Sequence, residues 1–104
     1  MTTITFTKSS TDSYKRVECS GHAGFADSGE DIVCAAISTA IYMTRNNIEM
    51  LEPSYNLSNI KLEEGYAFFE VSKEYNNAVK ILEVLEFTLN NLESQFPKHI
   101  KKLK

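Results

Sequence analysis

The sequence predicts an α+β fold in which two helices pack on one face of a small sheet. Three features support this: short segments in which apolar and polar residues alternate, two longer segments with an apolar residue every three or four positions, and breaks rich in glycine or proline between them. The elements follow the order ββαββα, with a possible last strand. The simplest arrangement is a two-layer sandwich with an antiparallel or mixed sheet.

The first two strands form a predicted hairpin. Residues 3–7 alternate threonine with apolar residues, and residues 14–20 place Val17 and Cys19 on one face. The polar residues 8–13 between them are typical of a hairpin connection. Cys19 is therefore expected to pack in the core beside Val17.

Two amphipathic helices follow from the 3.6-residue period. The first is expected to begin at Asp31 and to end at Glu52 and Pro53, and the second to run from about Asn77 to just before Pro97. The apolar residues that define their stripes are Val33, Ile37, Ala40, Ile41, Ile48 and Leu51 in the first helix, and Ala78, Ile81, Leu82, Leu85, Leu89, Leu92 and Phe96 in the second.

A second hairpin is predicted between the helices. Residues 56–62 and 66–72 alternate, and the three residues 63–65 that join them include a glycine. In this second hairpin Tyr66 and Phe68 share a face, which is expected to pack within the sheet or to meet a partner. Beyond the second helix the basic tail is either one more short strand or a frayed end.

The length, net charge and apolar content of the sequence limit the classes of protein to which it can belong. The chain has 104 residues, enough for a single domain spanning 1–104. A net charge of -3 argues against a general nucleic-acid binder. No export signal or apolar run of membrane-spanning length is visible, so we expect a cytoplasmic protein without a membrane partner, in which Cys19 and Cys34 are reduced thiols.

The segment GHAGFADSGEDIVCAAIS, residues 21–38, carries the candidate chemistry. If Asp31 is the N-cap of the first helix, Cys34 is its third residue, where unpaired backbone N–H groups favour a thiolate. The same groups could stabilise the oxyanion of a tetrahedral intermediate. His22 precedes Cys34 by twelve residues and could serve as its base. Asp31, Cys34 and Ser38 are spaced to share one stripe beside the apolar one.

The residues alone leave other interpretations open. A helical cysteine is most often a small buried side chain, and a loop histidine is most often a surface residue. Cys19 and His22 have the spacing of half a metal site, but further ligands are not evident. Thiol–disulfide chemistry is less favoured because the chain has no Cys-x-x-Cys. A domain that binds a partner protein without cutting it also remains possible.

The pattern G-H-A, a glycine-bearing loop and G-x-D-I-V-C-A-A-x-S resembles the ribosomal-processing cysteine protease family called Prp. The matching residues are Gly21, His22, Ala23, Gly29, Asp31, Ile32, Val33, Cys34, Ala35, Ala36 and Ser38. The chain also agrees with this family in length and in its predicted order of elements.

The resemblance implies a small cytoplasmic cysteine endopeptidase that acts during ribosome maturation. Its substrate would be the short N-terminal extension of a large-subunit ribosomal protein, the twenty-seventh by the usual numbering, cut after aromatic residues. A homodimer is implied, and neither a metal nor another cofactor is required.

Roles for individual residues also follow from the resemblance. It implies Cys34 as the nucleophile and His22 as the base. Asp31 and Ser38 match positions that support the site. Gly21 matches a glycine that lets the substrate loop move, and Gly29 lies in that loop.

Overall fold

The computed structural model describes residues 2–8, 14–21, 32–53, 60–63 and 65–103. The predicted order of elements is confirmed, and the tail forms a strand. In chain order the elements are β1 (Thr2–Lys8), β2 (Tyr14–Ser20), α1 (Ile32–Leu51), β3 (Ile60–Glu63), β4 (Tyr66–Ser72), α2 (Asn76–Gln95) and β5 (Ile100–Leu103).

The strands form one mixed sheet in the order β3-β4-β2-β1-β5. All neighbouring pairs are antiparallel except β1 and β5, which are parallel. As a result β4 and β5 point the same way, and α2 carries the chain back along the sheet between them. Two helices on a five-stranded sheet confirm the predicted α+β two-layer class.

The alternation of side chains buries one face of the sheet. Cys19 on β2 lies between Ile4 and Ala67 of the neighbouring strands, and Val17 lies beside Phe69. Each of these five side chains is 5% exposed or less. The predicted face of β2 that carries Val17 and Cys19 is therefore the covered one.

Both helices bury their predicted stripes in the same core. Leu51 is the exception, since its side chain is 60% exposed. A helix of 20 residues is about 30 Å long, whereas a strand of seven residues is about 23 Å; this difference in length leaves the end of α1 less covered by the sheet. The buried apolar residues of the two helices are Val33, Ile37, Ile41, Ile48, Ala78, Leu82, Leu85 and Leu89.

The helices run in opposite directions. The side-chain amide of Asn77, at the start of α2, donates to the carbonyl of Leu51 at the end of α1, at 3.4 Å. From there α2 returns to β5, whose Ile100 pairs with Thr2. Because α1 packs along α2, its first turn lies toward the end of the sheet that contains Thr2.

The second hairpin is described in part. Strand β4 has the predicted bounds, whereas most of the predicted strand 56–62 lies outside the described residues, and β3 is assigned from Ile60. Within the described ranges, neither helix is long and apolar enough to cross a bilayer.

Candidate active site

Cys34 lies at the helical position that the sequence predicts for it. Helix α1 is assigned from Ile32, so Cys34 is its third residue. Its side chain is partly exposed, while that of the preceding Val33 is fully buried. The backbone N–H groups of a first helical turn lack acceptors within the helix. Cys34 therefore lies beside several donors that favour a negative charge.

Of the other predicted site residues, the structure describes Ser38 and Gly21. Ser38 lies one turn further along α1 and is exposed. His22, Gly29 and Asp31 lie outside the described residues, so the pairing of His22 with Cys34 stays a prediction.

Gly21 marks the point where the chain leaves β2. Its φ angle is 88°, a left-handed value that favours glycine. Its N–H donates to the carbonyl of Gly65 at 2.8 Å, and its carbonyl accepts from the Thr2 hydroxyl at 3.4 Å. The residue before His22 is thus held by β1 on one side and by the β3–β4 turn on the other.

Sequence reasoning did not single out Thr2 or Gly65 for the site. Gly65 was identified only as part of a hairpin connection, and Thr2 lay outside the predicted first strand. Their meeting with Gly21 depends on the pairing of β2 with both β1 and β4. Thr2 is 19 positions from Gly21 and Gly65 is 44 positions from it, so no short stretch of sequence reports either contact.

Cys19 is a structural cysteine, as predicted. Its side chain is 4% exposed, and burial, followed by the neighbouring charge of Glu18, raises the pKa of its thiol to about 12. A thiol with so high a pKa stays protonated near neutral pH and is a poor nucleophile. Among the residues that the structure describes, no three His, Cys, Asp or Glu side chains are grouped to hold a metal ion.

The sheet face opposite the two helices carries a polar network. The Tyr66 hydroxyl donates to the Glu18 carboxylate at 2.8 Å. Arg16 forms a salt bridge with Glu70 and lies 5.3 Å from the centre of the Phe68 ring. Tyr66 and Phe68 share this face, as predicted, and both are partly buried there. Because Tyr66 pairs with Ser20, the network reaches the end of the sheet where Gly21 lies.

Known proteins resemble this chain in sequence and in fold. A sequence profile described as cysteine protease Prp matches residues 1–101. The ribosomal processing cysteine protease Prp of Bacillus subtilis is 26% identical over 89 residues, which cover 81% of this chain and 80% of that protein.

Two solved structures of a protein from S. aureus have the same fold. One is described as an essential ribosomal processing protease Prp in complex with a covalently linked product peptide; its TM-score is 0.79 at 26% identity, with 98% of this chain and 97% of that one covered. The other holds a substrate peptide and has a TM-score of 0.78 at 24% identity, covering 99% and 98% of the two chains. Since the profile covers nearly all of the sequence, this chain belongs to the cysteine protease Prp family.

Proposed function

We propose that this protein is an endopeptidase that removes the short N-terminal extension of a large-subunit ribosomal protein, the twenty-seventh by the usual numbering. Cys34 is the nucleophile and His22 is the general base. Asp31 and Ser38 support the site, and the segment that includes Gly21 and Gly29 contacts the substrate. Neither a metal nor another cofactor takes part.

The observation that carries the proposal is the position of Cys34. It is a partly exposed cysteine in the first turn of a helix that the core otherwise buries on one side. The other cysteine, Cys19, is buried and has a raised pKa, so it cannot supply a thiolate near neutral pH. His22 directly follows Gly21, the last described residue before α1. The S. aureus relative is described with a covalently linked product peptide, which fits nucleophilic catalysis.

The chemistry follows from these groups. His22 removes the proton from Cys34, and the sulfur forms a bond to the carbonyl carbon of the scissile peptide. The N–H groups of the first turn of α1 stabilise the oxyanion. When this intermediate collapses, the C–N bond breaks and His22 gives its proton to the leaving amine. Water, deprotonated by His22, then attacks the thioester, releasing the carboxylic acid and the Cys34 thiol.

The substrate and the assembly are proposed from family membership. The Bacillus subtilis relative is named a ribosomal processing protease, which supports a ribosomal protein as the substrate. We expect the cut to follow an aromatic residue, the protein to be a homodimer, and the reaction to occur in the cytoplasm. Light scattering of the purified protein tests the dimer separately from activity.

The decisive experiment uses a peptide that spans the N-terminal extension of the organism's own ribosomal protein. Wild type, Cys34→Ala, His22→Ala and Cys19→Ala are each incubated with the peptide, and the products are identified by mass spectrometry. We expect one cut after an aromatic residue with wild type and Cys19→Ala. Cys34→Ala should give none, and His22→Ala should be slower by at least about 100-fold.

Cys19→Ala is the matched control, because it removes the other thiol of the chain at a position outside α1. Cleavage by Cys34→Ala at the wild-type rate would rule out Cys34 as the nucleophile. Binding of an uncut peptide by the folded wild type would instead favour a docking domain.

A further inference from the structure

Gly21 lies in the last row of the sheet, between Thr2 and Gly65. The antiparallel pairing of β2 with β4 ends at Ser20, and beyond it the Gly21 N–H still donates to the Gly65 carbonyl at 2.8 Å. On the other side the Thr2 hydroxyl donates to the Gly21 carbonyl at 3.4 Å. Both polar groups of the Gly21 backbone are therefore held, one by Gly65 in the β3–β4 turn and the other by Thr2 of β1.

Thr2 is an unusual residue for its position. It is 3% exposed and lies on the covered face with the apolar residues Ile4 and Ile100. A buried hydroxyl is unfavourable unless it forms a hydrogen bond, and the Gly21 carbonyl provides the acceptor. The Thr2 N–H also donates to the carbonyl of His99 at 2.9 Å. Thr2 thus connects the end of β2 to the start of β5.

Gly65 holds the other side of Gly21 through its own backbone conformation. Its φ angle is 73°, so it is left-handed like Gly21. A side chain larger than hydrogen disfavours this region, although asparagine tolerates it better than most residues. The direction of the Gly65 carbonyl, which accepts the Gly21 N–H, depends on this conformation. A residue that cannot keep it would turn the acceptor away.

We propose that Thr2 and Gly65 are positioning residues that act on the base through Gly21. The Gly21 carbonyl belongs to the planar peptide group that joins Gly21 to His22. Holding that carbonyl and the Gly21 N–H fixes the direction in which the chain leaves the rigid sheet toward His22. The inference rests on the proposed role of His22. A displacement of about 1 Å at a catalytic group can lower a rate about 100-fold.

The test compares Thr2→Val and Gly65→Ala with a matched control, Thr44→Val. Thr44 is the other buried threonine among the side chains that the structure describes, and its hydroxyl donates to the Ala40 carbonyl at 2.7 Å inside α1. Thr2→Val and Thr44→Val each remove one buried hydroxyl and keep the shape of the side chain. Two readouts are used: kcat and KM for the ribosomal-protein peptide, and the rate at which iodoacetamide alkylates Cys34 near neutral pH. All assays are run well below the melting temperature of each variant.

We expect Thr2→Val and Gly65→Ala to lower kcat and to slow alkylation of Cys34 by about tenfold or more, with KM little changed. Thr44→Val should stay within about twofold of wild type in both readouts. Thr2→Ser keeps the hydroxyl and Gly65→Asn tolerates the left-handed φ, so both should recover most of the lost rate. If Thr2 had only a structural role, Thr2→Val and Thr44→Val would change kcat and the alkylation rate of Cys34 to the same extent.

The inference is overturned if Thr2→Val and Gly65→Ala, once folded, behave like Thr44→Val while His22→Ala still slows alkylation of Cys34. If Gly65→Ala does not fold, Thr2→Val and its rescue by Thr2→Ser decide the question. The proposed function fails in a different way: His22→Ala would then leave the alkylation of Cys34 unchanged. That result would mean that His22 does not act as the base, and Thr2 and Gly65 would then have no base to position.

Discussion

The Tyr66 hydroxyl donates a 2.8 Å hydrogen bond to the carboxylate of Glu18 across two neighbouring strands, β4 and β2. The two residues are diagonal neighbours on the sheet face opposite the helices, since Glu18 pairs directly with Phe68. The hydrogen bond and the negative charge of Glu18 both favour the neutral phenol, and the pKa of Tyr66 is raised above its ordinary value. Arg16 on the same face acts in the opposite direction, with a smaller effect.

Replacing Glu18 with Gln should lower the pKa of Tyr66 toward that of an ordinary tyrosine. Gln keeps an acceptor for the phenol but removes the charge that opposes its ionisation. The measurement is an ultraviolet titration of wild type and of Glu18→Gln, each compared with the same protein carrying Tyr66→Phe. The difference between the two curves of a pair reports the ionisation of Tyr66 alone. An unchanged midpoint in Glu18→Gln would show that Glu18 does not control this group.

The two thiols should differ sharply in reactivity. With iodoacetamide near neutral pH, the native protein should gain one adduct, on Cys34, because Cys19 is buried and its pKa is raised to about 12. Peptide mapping by mass spectrometry locates the adduct. Cys34→Ala should gain none until it is unfolded by urea. Alkylation of Cys19 in the native protein at a rate similar to that of Cys34 would contradict its placement in the core.

Cys19 should also make the fold less stable in alkali. Its pKa is about 12 in the folded protein and roughly 8.5 in an unfolded chain. The contribution of Cys19 to the free energy of unfolding is fully present below the pKa of its thiol in the unfolded chain. It is lost as the pH rises toward the pKa of the thiol in the folded protein. In that window the unfolded state releases the proton and the folded state keeps it, so the free energy of unfolding falls by up to about 1.4 kcal/mol per pH unit.

Urea unfolding of wild type and Cys19→Ala at about pH 8 and about pH 10.5 measures this effect, because every other titrating group is shared by the two proteins. The stability advantage of wild type over Cys19→Ala should shrink at the higher pH. An advantage that is equal at both pH values would mean that Cys19 titrates alike in the folded and unfolded states.

Much of the fold is visible in the sequence because its signals are local. The alternation around Val17 and Cys19 specifies both a strand and its buried face, and the stripe that contains Leu82 and Leu85 specifies a helix. The pairing of β1 with β5 is different, since it joins residues almost 100 positions apart. It results from the return of α2 along the sheet, and no short window of sequence reports it.

The candidate site likewise combines features that the sequence marks locally with contacts between distant residues that it does not mark. The third helical position of Cys34 follows from a helix start that the sequence marks locally. The left-handed conformation of Gly21 agrees with its being glycine, but its two partners do not follow from any motif. Thr2 lies outside the segment predicted as a strand. A threonine also does not by itself indicate which face of a strand is covered. Only the register of three strands brings Thr2 and Gly65 beside Gly21.

Two phenylalanines test the distinction between the core and the outer helical face. Phe69 is 1% exposed on the interior strand β4, where it pairs with Val17, whereas Phe87 is 68% exposed on α2. Phe69→Ala should lower the free energy of unfolding by about 3–5 kcal/mol through lost burial and an unfilled cavity. Phe87→Ala should change it by about 0.5 kcal/mol or less, since alanine also favours the helix. Both values come from urea denaturation with equal m-values. Equal losses for the two variants would mean that Phe87 is covered in solution, as a partner packed on the outer face of α2 would cause.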